Sequence, residues 1–204
     1  MIAIIDYGVG NLFSLKSSLE FLGQSAVITC DKATIENSDR IILPGVGAFS
    51  DAAEKLKAGG MSEFVINQAR SGKPLLGICL GMQLLFDRSF EYGEHSGLGL
   101  VPGDVRPLRD ITDSRLSIPH IGWNSLSFPK RSELFKYINE GDFVYFVHSF
   151  YGANCADYVT AYTEYSVPVT AAVERGGVFG TQFHPEKSGN TGLKILKAFC
   201  EVRA

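Results

Sequence analysis

Little in this chain of 204 residues leans to one side. Nineteen lysines and arginines stand against 22 acidic residues, for a net charge of −3, and no basic cluster interrupts the sequence. That excludes the electrostatic footprint of a nucleic-acid or anionic-membrane binder. No apolar stretch approaches the roughly 20 residues needed to cross a bilayer, and neither tandem repeats nor low-complexity segments occur. The four cysteines (Cys30, Cys79, Cys155 and Cys200) are scattered without CxxC spacing. The opening Met1-Ile2-Ala3-Ile4-Ile5-Asp6 has no basic n-region or cleavage site. Both features point to a reducing cytoplasm. His95, His120, His148 and His184 lie far apart and lack an i,i+4 partner, so no metal is expected. Gly8-Val9-Gly10 invites a dinucleotide-binding reading, but Phe13 stands where the fingerprint wants glycine and no ribose-binding acid follows at the proper place. No cofactor is expected.

What is present is the pattern of one α/β domain over residues 1–204, long enough to bury about 70% of its unfolded surface. Ile2 to Ile5, Ala26 to Thr29, Arg40 to Leu43 and Leu75 to Ile78 are short apolar runs of buried strands. Between them lie helical segments such as Leu12, Leu15, Leu19 and Leu22, and one beginning near Ser50. Strands apolar on both faces and separated by helices predict an open, mostly parallel central sheet flanked by helices, with ligands at the carboxyl ends of the strands. After about residue 95 the texture changes to short β-rich pieces: 97–101, 118–128, 143–150, 158–165, 170–174 and 178–183. These predict an antiparallel β extension packed against the parallel half. A closing helix places Leu193, Leu196, Phe199 and Cys200 on one face, which puts Cys200 in the core.

Gly77-Ile78-Cys79-Leu80-Gly81 sits between an apolar run and the helix-like stretch Met82 to Phe86. This is the grammar of a nucleophile elbow, a strand-to-helix turn so tight that glycine is needed on either side. The following helix dipole would favour a thiolate. A buried structural cysteine is the alternative. A cysteine nucleophile requires a base and a group that orients it. His184-Pro185-Glu186 follows the strand-like run Val178 to Phe183; if the chain stays near-extended there, Glu186 falls beside the His184 imidazole. Pro185 biases His184 toward that geometry. Attack on an amide also needs an oxyanion hole. The Leu80 amide supplies one donor, and Pro44-Gly45-Val46-Gly47, at the end of a neighbouring strand, can supply a second. An ordinary strand-to-helix turn would read the same way.

In chain order, the Pro-Gly-Val-Gly segment, the cysteine elbow and His-Pro-Glu resemble the class I glutamine amidotransferases. Four further segments are similar to the glutaminase subunits of imidazole glycerol phosphate synthases: Asp6-Tyr7-Gly8-Val9-Gly10-Asn11, Pro119-His120-Ile121-Gly122-Trp123-Asn124, Tyr145-Phe146-Val147-His148-Ser149 and Gln182-Phe183-His184-Pro185-Glu186-Lys187. Relatives often carry methionine at Ile121 and tyrosine at Phe150. The resemblance covers the whole chain. It implies a class I glutamine amidotransferase-like fold, with glutamine hydrolysed through a thioester on Cys79. His184 would be the base, Glu186 its support, and the Val46 and Leu80 amides the oxyanion hole. Gly47, Gln83, Glu91, His148, Ser149 and Phe150 would hold glutamine. It further implies a heterodimer with a separate (β/α)8-barrel synthase that consumes the ammonia in histidine biosynthesis, met through Val9, Asn11, Trp123 and Lys187. Rival readings are a paralogue feeding surface-sugar biosynthesis, a stand-alone γ-glutamyl hydrolase and a non-enzymatic cysteine redox sensor or chaperone.

Overall fold

The computed structural model describes residues 1–202. Its first part alternates strand and helix: β1 (Ile2–Ile5), α1 (Leu12–Phe21), β2 (Ala26–Thr29), α2 (Lys32–Glu36), β3 (Arg40–Gly45), α3 (Phe49–Ala58), α4 (Met61–Arg70), β4 (Leu75–Cys79) and α5 (Leu80–Leu84). Nine short strands follow, β5 (Arg88–Ser89), β6 (His95–Ser96), β7 (Asp104–Pro107), β8 (His120–Ser125), β9 (Phe143–His148), β10 (Phe150–Ala153), β11 (Val159–Glu164), β12 (Pro168–Arg175) and β13 (Val178–Thr181), before the closing helix α6 (Gly189–Glu201).

The main sheet has the order β11-β12-β13-β4-β3-β1-β2. Its pairs from β2 through β13 are parallel, and only the pairs β13–β12 and β12–β11 are antiparallel. Alternation along the strands explains why the central runs are apolar throughout. Ile2, Ile4, Ile42, Leu76 and Ile78 pack on one face with Leu15 and Leu19 of α1 and Ile195 and Phe199 of α6. Ala3, Ile5, Ile41, Leu43 and Leu75 pack on the other with Phe49 and Leu56 of α3 and Val65 of α4. Cys200 lies in the first of these clusters.

The C-terminal half differs from the expected single antiparallel extension. β13 pairs parallel with β4 and completes the parallel core; an apolar run of four residues carries a periodicity but no direction. The stretch 143–150 is two strands, divided at Ser149. β9 pairs with β8 in a two-stranded sheet, and β10 joins a four-stranded sheet of order β10-β7-β5-β6. Residues 97–101 are no strand. Their N–H groups bond instead to carbonyls of residues 84–87, clasping the end of α5. The expected helices shift by one or two residues, α3 starting at Phe49 and α5 at Leu80. Among the described residues no helix is long and apolar enough to cross a membrane. The carboxyl ends of β3, β4 and β13 lie side by side, and the segments leaving them carry Val46, Cys79 and His184.

Candidate active site

Cys79 ends β4 with φ 55° and ψ −112°, a conformation that a side chain adopts only under constraint. The glycines around it serve close approach rather than unusual dihedrals. A Cβ on Gly81 would overlap the Leu43 carbonyl oxygen of β3, and one on Gly77 would come within 2.6 Å of the Gly81 carbonyl oxygen. The first turn of α5 is thus pressed onto the sheet, and the strain falls on Cys79. The helix is short, Leu80–Leu84. At five residues its two ends stand roughly 8 Å apart, so their opposed partial charges largely offset and the dipole contributes little.

His184 leaves the end of β13 with ψ 100°, as the following proline requires. The chain then turns into a short 3-10 segment, Pro185–Lys187, instead of staying extended. The turn still delivers the contact: His184 Nδ1 lies 2.9 Å from Glu186 Oε1, with both side chains 3% exposed. The turn is held by two bonds to Tyr145, whose carbonyl accepts from His184 N–H and whose N–H donates to Ser188 Oγ. His184 Nε2 is buried and has no hydrogen-bond partner among the described residues. Burial pushes the His184 pKa down, but Cys79 and the Glu186 carboxylate outweigh it and raise the pKa to about 9. The imidazolium is therefore the neutral-pH form. The Cys79 sulfur itself lies 3.9 Å from the Val147 carbonyl and 3.8 Å from Gln182 Nε2.

A second histidine pair adjoins this one. His148 Nδ1 is 2.8 Å from the Phe150 carbonyl, and His120 Nδ1 is 3.0 Å from His148 Nε2. A carbonyl only accepts, so His148 carries its proton on Nδ1, and His120 must donate to the bare Nε2. Burial holds both rings neutral, His120 down to about 4 and His148 down to about 3; the Phe150 carbonyl pulls His148 back only in part.

Beside these groups lies a cavity of about 420 Å³ whose lining includes Val46, Gly47, Cys79, Leu80, Gln83, Glu91, His148, Ser149, Phe150, His184 and Lys187. Every residue expected to touch glutamine is therefore at one place, and Glu186 stands behind His184. Glu91 accepts from the Phe49 N–H at the start of α3, 2.6 Å; burial raises its carboxyl despite that bond. Gln83 spends its Nε2 on the Phe150 carbonyl, 3.2 Å, and on Gln182 Oε1, 3.0 Å, which leaves Oε1 to meet a ligand. Of the four expected partner contacts, Trp123 is 54% exposed and Lys187 is exposed, whereas Val9 and Asn11 are half-buried. Trp123 is therefore a surface aromatic, standing edge-on to Tyr145 with ring centroids 6.1 Å apart.

The sequence reading left three of these side chains without a role: Tyr7, His120 and Gln182. The Tyr7 hydroxyl donates to the Pro44 carbonyl, 2.7 Å, and pins the strand end that leads into Val46. Burial, then nearby Cys79, raises its phenol. Gln182 did leave a signal, being a carboxamide in the strand-like run Val178 to Phe183, where a buried amide demands partners.

A family model for class-I glutamine amidotransferases matches residues 3–202. The chain is 50% identical to the imidazole glycerol phosphate synthase subunit HisH of Caldanaerobacter subterraneus subsp. tengcongensis, covering 99% of this chain and 98% of that protein. It is 47% identical to the same subunit of Wolinella succinogenes, covering 99% and 100%. Among solved structures, a glutamine amidotransferase superposes with a TM-score of 0.76 at 19% identity over 98% of both chains, and PurLQS of Thermotoga maritima with 0.72 at 22% identity over 98% and 96%. At those identities the likeness speaks to fold alone, while the family match and the sequence relatives speak to descent. The chain belongs to the class-I glutamine amidotransferases and, within them, groups with the HisH subunits of imidazole glycerol phosphate synthase.

Proposed function

We propose that this chain is the glutaminase subunit of an imidazole glycerol phosphate synthase, working in the cytoplasm and delivering ammonia to a separate (β/α)8-barrel synthase subunit in histidine biosynthesis. The observation that carries the reading is the strained Cys79, lining the cavity beside the buried His184–Glu186 pair, 2.9 Å apart. In the reaction, the Cys79 thiolate attacks the side-chain carboxamide carbon of glutamine. Negative charge builds on the oxygen, met by the N–H groups of Val46 and Leu80. His184 gives its proton to the departing nitrogen, Glu186 steadying the imidazolium, and ammonia leaves with a thioester on Cys79. Water, deprotonated by His184, then releases glutamate. Gly47, Gln83, Glu91, His148, Ser149 and Phe150 hold the substrate, and Val9, Asn11, Trp123 and Lys187 face the synthase.

The test is glutamate release from glutamine by the chain alone, then with a barrel synthase and its nucleotide. Strong stimulation is expected; full activity without any partner would instead select a stand-alone hydrolase. In the stimulated complex Cys79→Ser lowers turnover by about a thousandfold or more, and a parental rate would end the proposal.

A further inference from the structure

Gln182 does not line the cavity and is fully buried, yet its carboxamide reaches the reacting atom. The polarity of its contacts is fixed from one end. The Phe150 carbonyl can only accept, and it receives both His148 Nδ1–H and Gln83 Nε2–H. That orientation of Gln83 presents its Nε2 also to Gln182 Oε1, 3.0 Å away. With its oxygen so engaged, Gln182 turns its own Nε2–H toward Cys79 Sγ, 3.8 Å away; the reverse orientation would set two donors against each other.

We propose that Gln182 is a catalytic residue of this site: its side-chain N–H, aimed by Gln83 and the Phe150 carbonyl, holds the Cys79 sulfur in the thiolate form. Beside the charge of the neighbouring His184 imidazolium, this donor contacts the sulfur directly. The sulfur's other hydrogen-bond contact is the Val147 carbonyl, which accepts from the Cys79 S–H and so favours the thiol. The elbow helix is too short to supply much positive potential. A hydrogen bond from a buried amide to a charged acceptor discriminates strongly between thiolate and thiol. Gln83 is a positioning residue in this arrangement, acting on the sulfur through Gln182.

The inference rests on Cys79 being the nucleophile of the proposed reaction, and two readouts keep the two ideas apart. Alkylation by iodoacetamide near neutral pH reports the sulfur alone, whereas glutamate release in the synthase complex reports the reaction. Gln182→Met, nearly isosteric and without a donor, is expected to slow alkylation of Cys79 about tenfold. It also lowers kcat with KM for glutamine unchanged, since Gln182 does not face the cavity. Gln83→Met slows alkylation less, in the same direction. Parental alkylation in Gln182→Met overturns the proposal. Alkylation slowed as expected with glutamate release unaltered would instead count against Cys79 as nucleophile. Should Gln182→Met not fold, the unaltered chain decides: the Gln182 side-chain N–H resonance must shift as Cys79 is deprotonated and lose that response in Cys79→Ser. A resonance indifferent to the state of Cys79 overturns the assignment.

Discussion

His184 and His148 both line the cavity that holds Cys79, and both are nearly inaccessible to water, yet one sits at about 9 and the other at about 3. Burial acts on both in the same direction. What separates them is that His184 has Cys79 and a carboxylate for neighbours, while His148 has a carbonyl and two other imidazoles. In the proposed reaction one ring is thus set to carry the proton and the other is kept out of it. In Glu186→Gln the opposing charge is gone and the His184 pKa falls, so the alkaline limb of the kcat profile, expected near pH 9 in the parent, moves toward neutrality. Turnover loses part of the roughly 10²–10⁴-fold that general acid–base catalysis supplies. Linkage gives a second readout. An unfolded histidine titrates near 6.5, so the stabilisation from the His184 imidazolium is fully present below about that pH. It is lost as pH rises through 9, and denaturant unfolding should show that loss in the parent but much less of it in Glu186→Gln. An alkaline limb that stays in place would mean that Glu186 does not set the proton affinity. Cys79, His184 and Glu186 were legible in the sequence because flanking glycines and proline mark them. Gln182 was not, because its role depends on which way an amide is turned by a carbonyl 32 residues away.

At the scale of elements, the elbow works because α5 is driven against β3. Gly81→Ala places a methyl group into the Leu43 carbonyl, and β3 cannot retreat without opening its pairing with β4. Destabilisation above about 4 kcal/mol is expected, seen as loss of the cooperative transition in denaturant. A variant as stable as the parent would mean that α5 is free to lift away from β3. The parallel half was readable because helices separate its strands and its runs are apolar on both faces. The second half was not read as well, for reasons that are also physical. Whether β13 lies parallel to β4 or antiparallel to a neighbour is decided by partners distant in sequence. The break at Ser149, which sends β9 and β10 to different sheets, is marked by no glycine or proline in the run from Phe143 to Phe150. His184 and Glu186 were expected to meet across an extended chain and meet instead across a tight turn, so the contact was right and the geometry behind it was not.

For the molecule as a whole, the question is how a partner on the surface would reach a buried imidazole. Val46, Ile121 and Trp123 are 41%, 59% and 54% exposed. Trp123 stands opposite Tyr145 in the β8–β9 ladder, Lys187 Nζ lies 6.0 Å from the same Tyr145 ring, and the Tyr145 backbone bonds both ends of the turn that carries His184 and Glu186. A subunit seated on Trp123 therefore presses on the strand that positions the base, with one residue between surface and site. Tryptophans at the centre of such surfaces carry a disproportionate share of binding energy, about 2 kcal/mol or more. Trp123→Ala should accordingly raise the dissociation constant of the synthase complex about thirtyfold. It should also blunt the stimulation of glutamate release at saturating synthase, because a smaller side chain transmits less to Tyr145. Titration of the variant with synthase, read by glutamate release, gives both numbers at once: parental affinity would move the interface elsewhere, and weakened affinity with full stimulation would break the link through Tyr145.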